Sequence, residues 1–155
     1  MEDCCAIKGG PITFDIEFNC PECTQKGKTI GIITLKSLLV PEALIKLKVD
    51  TNYRMCLNKD CQVVYFNDKD DIYRTQDLKV PVLAKNDSLD CPVCYCFGWT
   101  REKLNIDYEQ KKKSTAVSEI SDHIKAGRCG CEVNNPEGSC CLGNVKSYLT
   151  SLTKI

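Results

Sequence analysis

The sequence predicts an α+β chain, with a small β-rich part followed by a small helical part, in 155 residues. Three observations carry this. The apolar pattern changes near residue 88 from short β-branched runs to helical spacing. The thirteen cysteines fall into groups that divide at the same place, and the polar, turn-rich stretch Ala84-Lys85-Asn86-Asp87-Ser88 lies between them. The chain is thus divided into a segment 1–17 expected to be flexible, a first domain at 18–88 and a second at 89–155.

Taken in order, strands are expected at Thr29-Ile30-Gly31-Ile32-Ile33-Thr34-Leu35, Tyr53-Arg54-Met55, Gln62-Val63-Val64-Tyr65-Phe66, Ile72-Tyr73 and Val80-Pro81-Val82. One short helix fits among them, with Pro41 at its first position and Ala43, Leu44 and Leu47 on one face. In the second part Thr100 caps a helix carrying Leu104 and Tyr108. Ser114 or Thr115 caps another that presents Ala116, Val117, Ile120 and Ile124 and is stopped by Gly127. A third begins near Cys141, and its stripe of Leu142, Val145, Leu149 and Leu152 reads as a packing face.

Charge narrows the function. The 21 basic side chains balance 21 acidic ones, and a neutral chain is a poor general binder of nucleic acid or anionic membrane. The longest apolar stretch, Ile30 to Leu39, is interrupted by Gly31, Thr34, Lys36 and Ser37 and falls far short of the roughly 20 residues a membrane helix needs. The opening Met1-Glu2-Asp3-Cys4-Cys5 has no charged-then-apolar leader, so a cytoplasmic protein is expected, where thiols hold metal rather than disulfides. Domains this small have marginal cores, which a bound metal commonly supplements.

Cys20-Pro21-Glu22-Cys23 is a C-x2-C knuckle, and Cys56-Leu57-Asn58-Lys59-Asp60-Cys61 supplies a wider C-x4-C pair. Two short pairs on separate turns place four sulfurs tetrahedrally around zinc, and four thiolates leave no position for water, so the expected site is structural. Buried metal-free thiols and a mononuclear iron site are the rival readings. Iron sites of that type usually use two C-x2-C pairs, so the wider second pair favours zinc.

A different pattern follows. Cys94-Tyr95-Cys96 is a C-x-C pair suited to one iron of a 2Fe-2S cluster, and the other iron needs two more thiolates from among Cys129, Cys131, Cys140 and Cys141. Cys140 and Cys141 stand at the expected start of the last helix, whose dipole favours a thiolate, and Asn134-Asn135-Pro136-Glu137-Gly138 is turn chemistry that folds the chain back. The preferred set is Cys94, Cys96, Cys131 and Cys141. A Rieske centre needs two histidines, and His123 is the only one. His123 reads as a partly exposed helix residue, and Lys111-Lys112-Lys113 as a solvated helix end.

Cys20-Pro21-Glu22-Cys23, Cys56-x4-Cys61 with the run Gln62 to Asp68, Pro92-Val93-Cys94-Tyr95-Cys96, and Cys131 followed by Asn135-Pro136 and Cys140-Cys141 together resemble the zinc- and 2Fe-2S-containing N-terminal portion of CopZ-type copper chaperones. The resemblance spans about residues 18 to 150. The second part by itself resembles the bacterioferritin-associated ferredoxin domain, a small helical fold around one 2Fe-2S cluster. That family pairs its C-x-C with a C-x2-C, whereas nine residues separate Cys131 from Cys141 here, as in the CopZ-like version. The resemblance implies a small β-rich zinc-binding domain followed by a small helical 2Fe-2S domain, with Cys94, Cys96, Cys131 and Cys141 as cluster ligands. Chaperones of this type also carry a heavy-metal-associated domain with an exposed C-x2-C for Cu(I). That domain is not read in residues 1–155, so direct copper delivery is not expected of them; the expected partners are copper or another soft metal ion and a redox partner protein or separate metallochaperone.

The leading functional expectation is a one-electron redox protein of copper or soft-metal handling. A second is a soft-metal-binding or sensing module using Cys4 and Cys5, with Cys91 and Cys129 as further thiols. A third is an electron donor for iron release from a storage protein. No phosphate loop, paired acid and base, or nucleophile with a partner histidine points to catalysis on an organic substrate.

Overall fold

The computed structural model describes residues 19–153, in which helices and antiparallel sheets are mixed. The first part is built on a four-stranded sheet of β1 (Lys28–Ile30), β2 (Tyr53–Met55), β3 (Val63–Asn67) and β4 (Ile72–Arg74), ordered β1-β2-β3-β4 with every neighbour antiparallel. All five residues of β3 are buried, which is why its apolar run is continuous where a half-exposed strand would alternate. Val64 and Tyr65 join the main core with Leu35, Leu38, Leu39, Tyr53 and Met55. Val63 and Phe66 pack instead with Cys20, Cys56 and Cys61. A break in the β3–β4 register between Val63 and Tyr65 accompanies this division.

The strand expected over Thr29 to Leu35 is corrected. β1 ends at Ile30, and Ile32–Leu38 is helix α1. Leu35, Leu38 and Leu39 are all buried, a spacing of three and four that only a helix turns to one side, and this packing overrides the β-branched propensity of Ile32 and Ile33. The helix expected at Pro41 is a single turn, α2 (Pro41–Leu44), with proline at its first position. Ala43 faces the core and Leu47 packs on it, but Leu44 is exposed, since one turn cannot sustain a face.

Val80-Pro81-Val82 is likewise no strand. Pro81 has no N–H for a ladder, its carbonyl accepts from the Tyr95 hydroxyl at 2.6 Å, and the chain passes into a 3₁₀ turn at Leu83–Lys85.

The second part opens with a hairpin of β5 (Pro92–Cys94) and β6 (Trp99–Thr100), an element beyond the purely helical expectation. Gly98 sits in its turn at φ +72°, where a side chain would be strained. Four helices follow: α3 (Arg101–Lys111), α4 (Ala116–Lys125), the one-turn α5 (Cys131–Asn134), also unanticipated, and α6 (Leu142–Thr153). Thr100 Oγ1 accepts from Lys103 N–H at 3.1 Å, the expected cap of α3. Ser114 Oγ accepts from Ala116 N–H at 3.0 Å at the start of α4, and Gly127, φ +74°, stands just past its end. Leu104, Ala116, Ile120, Leu142 and Val145 form one core with Cys94, Cys131 and Cys141. Among the described residues no helix is long and apolar enough to cross a membrane.

Candidate metal centres

The first cysteine set is assembled by two tight turns. Thr24 N–H donates to Cys20 O at 2.8 Å and Cys20 N–H to Gln25 O at 2.9 Å, closing the Cys20–Cys23 knuckle, with Thr24 at φ +63°. Cys56 follows β2 and Cys61 precedes β3. Between them Asn58 Oδ1 accepts from Asp60 N–H at 3.1 Å and Asn58 O from Cys61 N–H at 3.1 Å, so the C-x4-C loop folds on an Asx turn.

The four sulfurs lie within 4.8 Å of one another, Cys20 Sγ to Cys61 Sγ at 3.8 Å and Cys23 Sγ to Cys56 Sγ at 3.5 Å. A tetrahedron of thiolates about 2.3 Å from zinc has edges of about 3.8 Å, so this donor set matches the ion in size and in chemistry. Burial pushes the Cys56 thiol up to about 12. Burial also opposes ionisation of Cys23, but the Gln25 backbone, the Asn58 side chain and the neighbouring thiols hold it at about 6. Binding of a metal cation by the set must therefore displace thiol protons.

Two supports of this centre had no spacing signal in the sequence. Lys85 Nζ donates to Asn58 O and Cys61 O, both at 2.7 Å, tying the C-x4-C loop from outside. Arg74 on β4 pairs with Glu22 inside the knuckle.

The second set comes together from three elements. Cys94 ends β5, Cys131 opens α5, and Cys141 O accepts from Val145 N–H at 3.0 Å at the start of α6. Cys96 Sγ lies 3.4 Å from Cys131 Sγ and accepts from Gly130 N–H at 3.3 Å and Asn134 Nδ2 at 3.7 Å. The thiol of Cys141 meets those of Cys131 and Cys94, and those contacts together with burial push its ionisation far up. Cys94, hydrogen-bonded to Cys141, is shifted down. Cys94, Cys131 and Cys141 are buried, whereas Cys96 is half-buried. Four thiols converging in a core, one edge approached by N–H donors, fit a small anionic iron–sulfur group.

Of the remaining thiols, Cys140 packs against the core that holds Cys94, Cys131 and Cys141. Cys91 is fully buried with its ionisation raised by burial, and Cys129 and Cys140 are half-buried. Cys4 and Cys5 lie outside the described residues. His123 is a half-buried residue of α4 whose ring stacks on Phe97 at 4.3 Å, with Nδ1 3.0 Å from Arg128 Nη1. Lys111 pairs with Asp107 at 2.8 Å, and Lys112 and Lys113 are exposed at the helix end.

Fold and site together define a cysteine-rich metal-binding protein with a four-thiol zinc centre. Residues 17–79 match the CopZ zinc-finger family, described as a zinc binding domain. The chain is similar to the N-terminal domain of CopZ from Archaeoglobus fulgidus, solved by X-ray methods, with 31% identity and a TM-score of 0.69 over 84% of this chain and 96% of that one. It is also 33% identical over 122 residues to the copper chaperone CopZ of the same organism, across 79% of this chain and 57% of that protein. The chain belongs to the family of CopZ N-terminal domains, and it spans little more than half the length of the curated relative.

Proposed function

We propose that this protein is a one-electron redox protein of copper or soft-metal handling, with a structural zinc held by Cys20, Cys23, Cys56 and Cys61 and a 2Fe-2S cluster held by Cys94, Cys96, Cys131 and Cys141. The convergence of the second four thiols in a chain related to a copper chaperone carries the reading. On this reading residues 18–88 form the zinc domain and 89–155 a helical domain of the bacterioferritin-associated-ferredoxin kind.

The zinc set is closed and redox-silent, so its role is to hold the sheet. A 2Fe-2S cluster held by Cys94, Cys96, Cys131 and Cys141 would supply one-electron chemistry, the electron coming from a reducing partner protein and going to Cu(II) to give Cu(I). Cys94, Cys131 and Cys141 exclude water by their burial. Cys96, the half-buried corner, would offer the short route for the electron, and Gly130 N–H and Asn134 Nδ2 stabilise negative charge on its sulfur. Thiolates prefer soft Cu(I), so a chaperone of the oxidised ion gains from an attached reductant.

The test is anaerobic. Protein reduced and freed of excess reductant receives Cu(II) with a Cu(I)-specific chromogenic chelator. One Cu(I) per reoxidised cluster is expected, and Cu(II) left unreduced beside a cluster that stays reduced overturns the reading.

A further inference from the structure

Nine residues join Cys131 to Cys141, and the first part of the chain fastens them at three points. Thr34 Oγ1, on α1 and fully buried, donates to Glu132 O at 2.7 Å. Tyr65, in the middle of β3 and fully buried, donates its hydroxyl to Pro136 O at 2.5 Å. Lys28 Nζ, on β1, donates to Ser139 Oγ at 2.7 Å and lies 3.7 Å from Glu137. All three donors belong to the zinc-bearing part and all three acceptors to the thiol loop.

The loop is shaped to receive them. Asn135, 2% exposed, donates through Nδ2 to Ser139 O at 2.8 Å and accepts from Glu137 N–H at 3.0 Å, holding the turn from within. Gly138, at φ +67°, sits so close that a Cβ would meet Thr34 Oγ1 at 2.7 Å and Ile30 Cδ1 at 2.8 Å. Burial pushes the ionisation of Tyr65 well above the usual phenol range, so its hydroxyl stays a donor.

We propose that Tyr65 is a positioning residue of the second centre: through Pro136 it sets the loop that presents Cys131 and Cys141, and so couples the retention of that centre to the state of the zinc site. The coupling is mechanical. Val63 and Phe66 of the same strand pack on Cys20, Cys56 and Cys61, so β3 has the zinc thiols against some of its side chains and the thiol loop against Tyr65. Loosening the zinc site loosens the strand that carries the clamp. A thiolate pair held in place releases iron slowly, because each sulfur that leaves is returned before the next can follow.

The inference rests on the cluster reading above, and its test separates the two. Tyr65→Phe keeps the ring and removes only the hydroxyl. Tyr53→Phe is the control in the same sheet, since the Tyr53 hydroxyl accepts from Lys48 N–H at 3.3 Å, away from the loop. Both variants are expected to keep zinc and strand signal. In zinc-loaded chain without iron, amide exchange across residues 132–140 is expected to quicken about fivefold in Tyr65→Phe alone, the effect of losing one buried hydrogen bond. In fully loaded chain, iron release to a chelator is expected to quicken by a similar factor, with a changed visible circular dichroism of the cluster. Exchange and release equal in the two variants overturn the clamp. Quickened exchange in a protein that takes up no iron and sulfide supports the clamp on the loop and overturns the cluster reading instead.

Discussion

Lys85 lies 24 positions beyond Cys61, yet its ammonium donates to the Cys61 carbonyl at 2.7 Å and equally to that of Asn58. A charged donor on two loop carbonyls holds the C-x4-C turn in shape independently of any metal.

Lys85→Ala is therefore expected to leave the sheet folded and to weaken zinc retention about tenfold, the usual scale for losing a group that orients metal ligands. Zinc transfer to a chromogenic chelator measures it. Retention equal to that of the native chain would show that the four thiols hold the loop unaided.

Elemental and acid-labile sulfide analysis of anaerobically prepared protein is expected to find one zinc and two irons with two sulfides per chain. These counts follow from one tetrahedral thiolate set and one 2Fe-2S set. A single metal, or iron without sulfide, would contradict the two-centre reading.

Cys140 and Cys141 both precede α6; Cys141 belongs to the core that holds Cys94 and Cys131, and Cys140 packs against that core only partly buried. The Cys141 thiol meets Cys94 and Cys131 and is 1% exposed, while Cys140 is half-buried. Cys141→Ser is expected to abolish or strongly alter the visible spectrum, and Cys140→Ser to leave it nearly unchanged. The opposite pattern would move the ligand to Cys140.

Asp107 joins α3 to α4. Its Oδ2 accepts from Thr115 N–H at 2.8 Å and Ser114 Oγ at 2.7 Å, and Oδ1 pairs with Lys111. Partial burial opposes its charge, but these partners prevail and hold its pKa at about 2. Because the folded value is depressed, the stabilisation is complete above the unfolded value of 3.8 and is lost as pH falls through about 2. Asp107→Ala is expected to cost about 1–3 kcal/mol at neutral pH, and the gap from the native chain to close between pH 4 and 2. Thermal melts across that range read it, and a gap independent of pH would deny the carboxylate this role.

What the sequence determined by itself is local chemistry. The C-x2-C and C-x4-C spacings of the first set, the cap at Thr100, the turn at Ser114 and Thr115 that opens α4, the proline opening α2 and the glycine ending α4 each depend on neighbours a few residues away, and each is found where the spacing puts it. Strands β2, β3 and β4 were legible for the same reason. Tertiary structure decided the rest. Ile32–Leu38 is helix because Leu35, Leu38 and Leu39 meet a core supplied by distant strands, a contact no local propensity encodes. Lys85, Arg74 and Tyr65 reach the two thiol sets across 24, 52 and 71 positions, measured to Cys61, Glu22 and Pro136. Such contacts leave no period in the sequence, since they are fixed only when the sheet and the thiol loop close on one another.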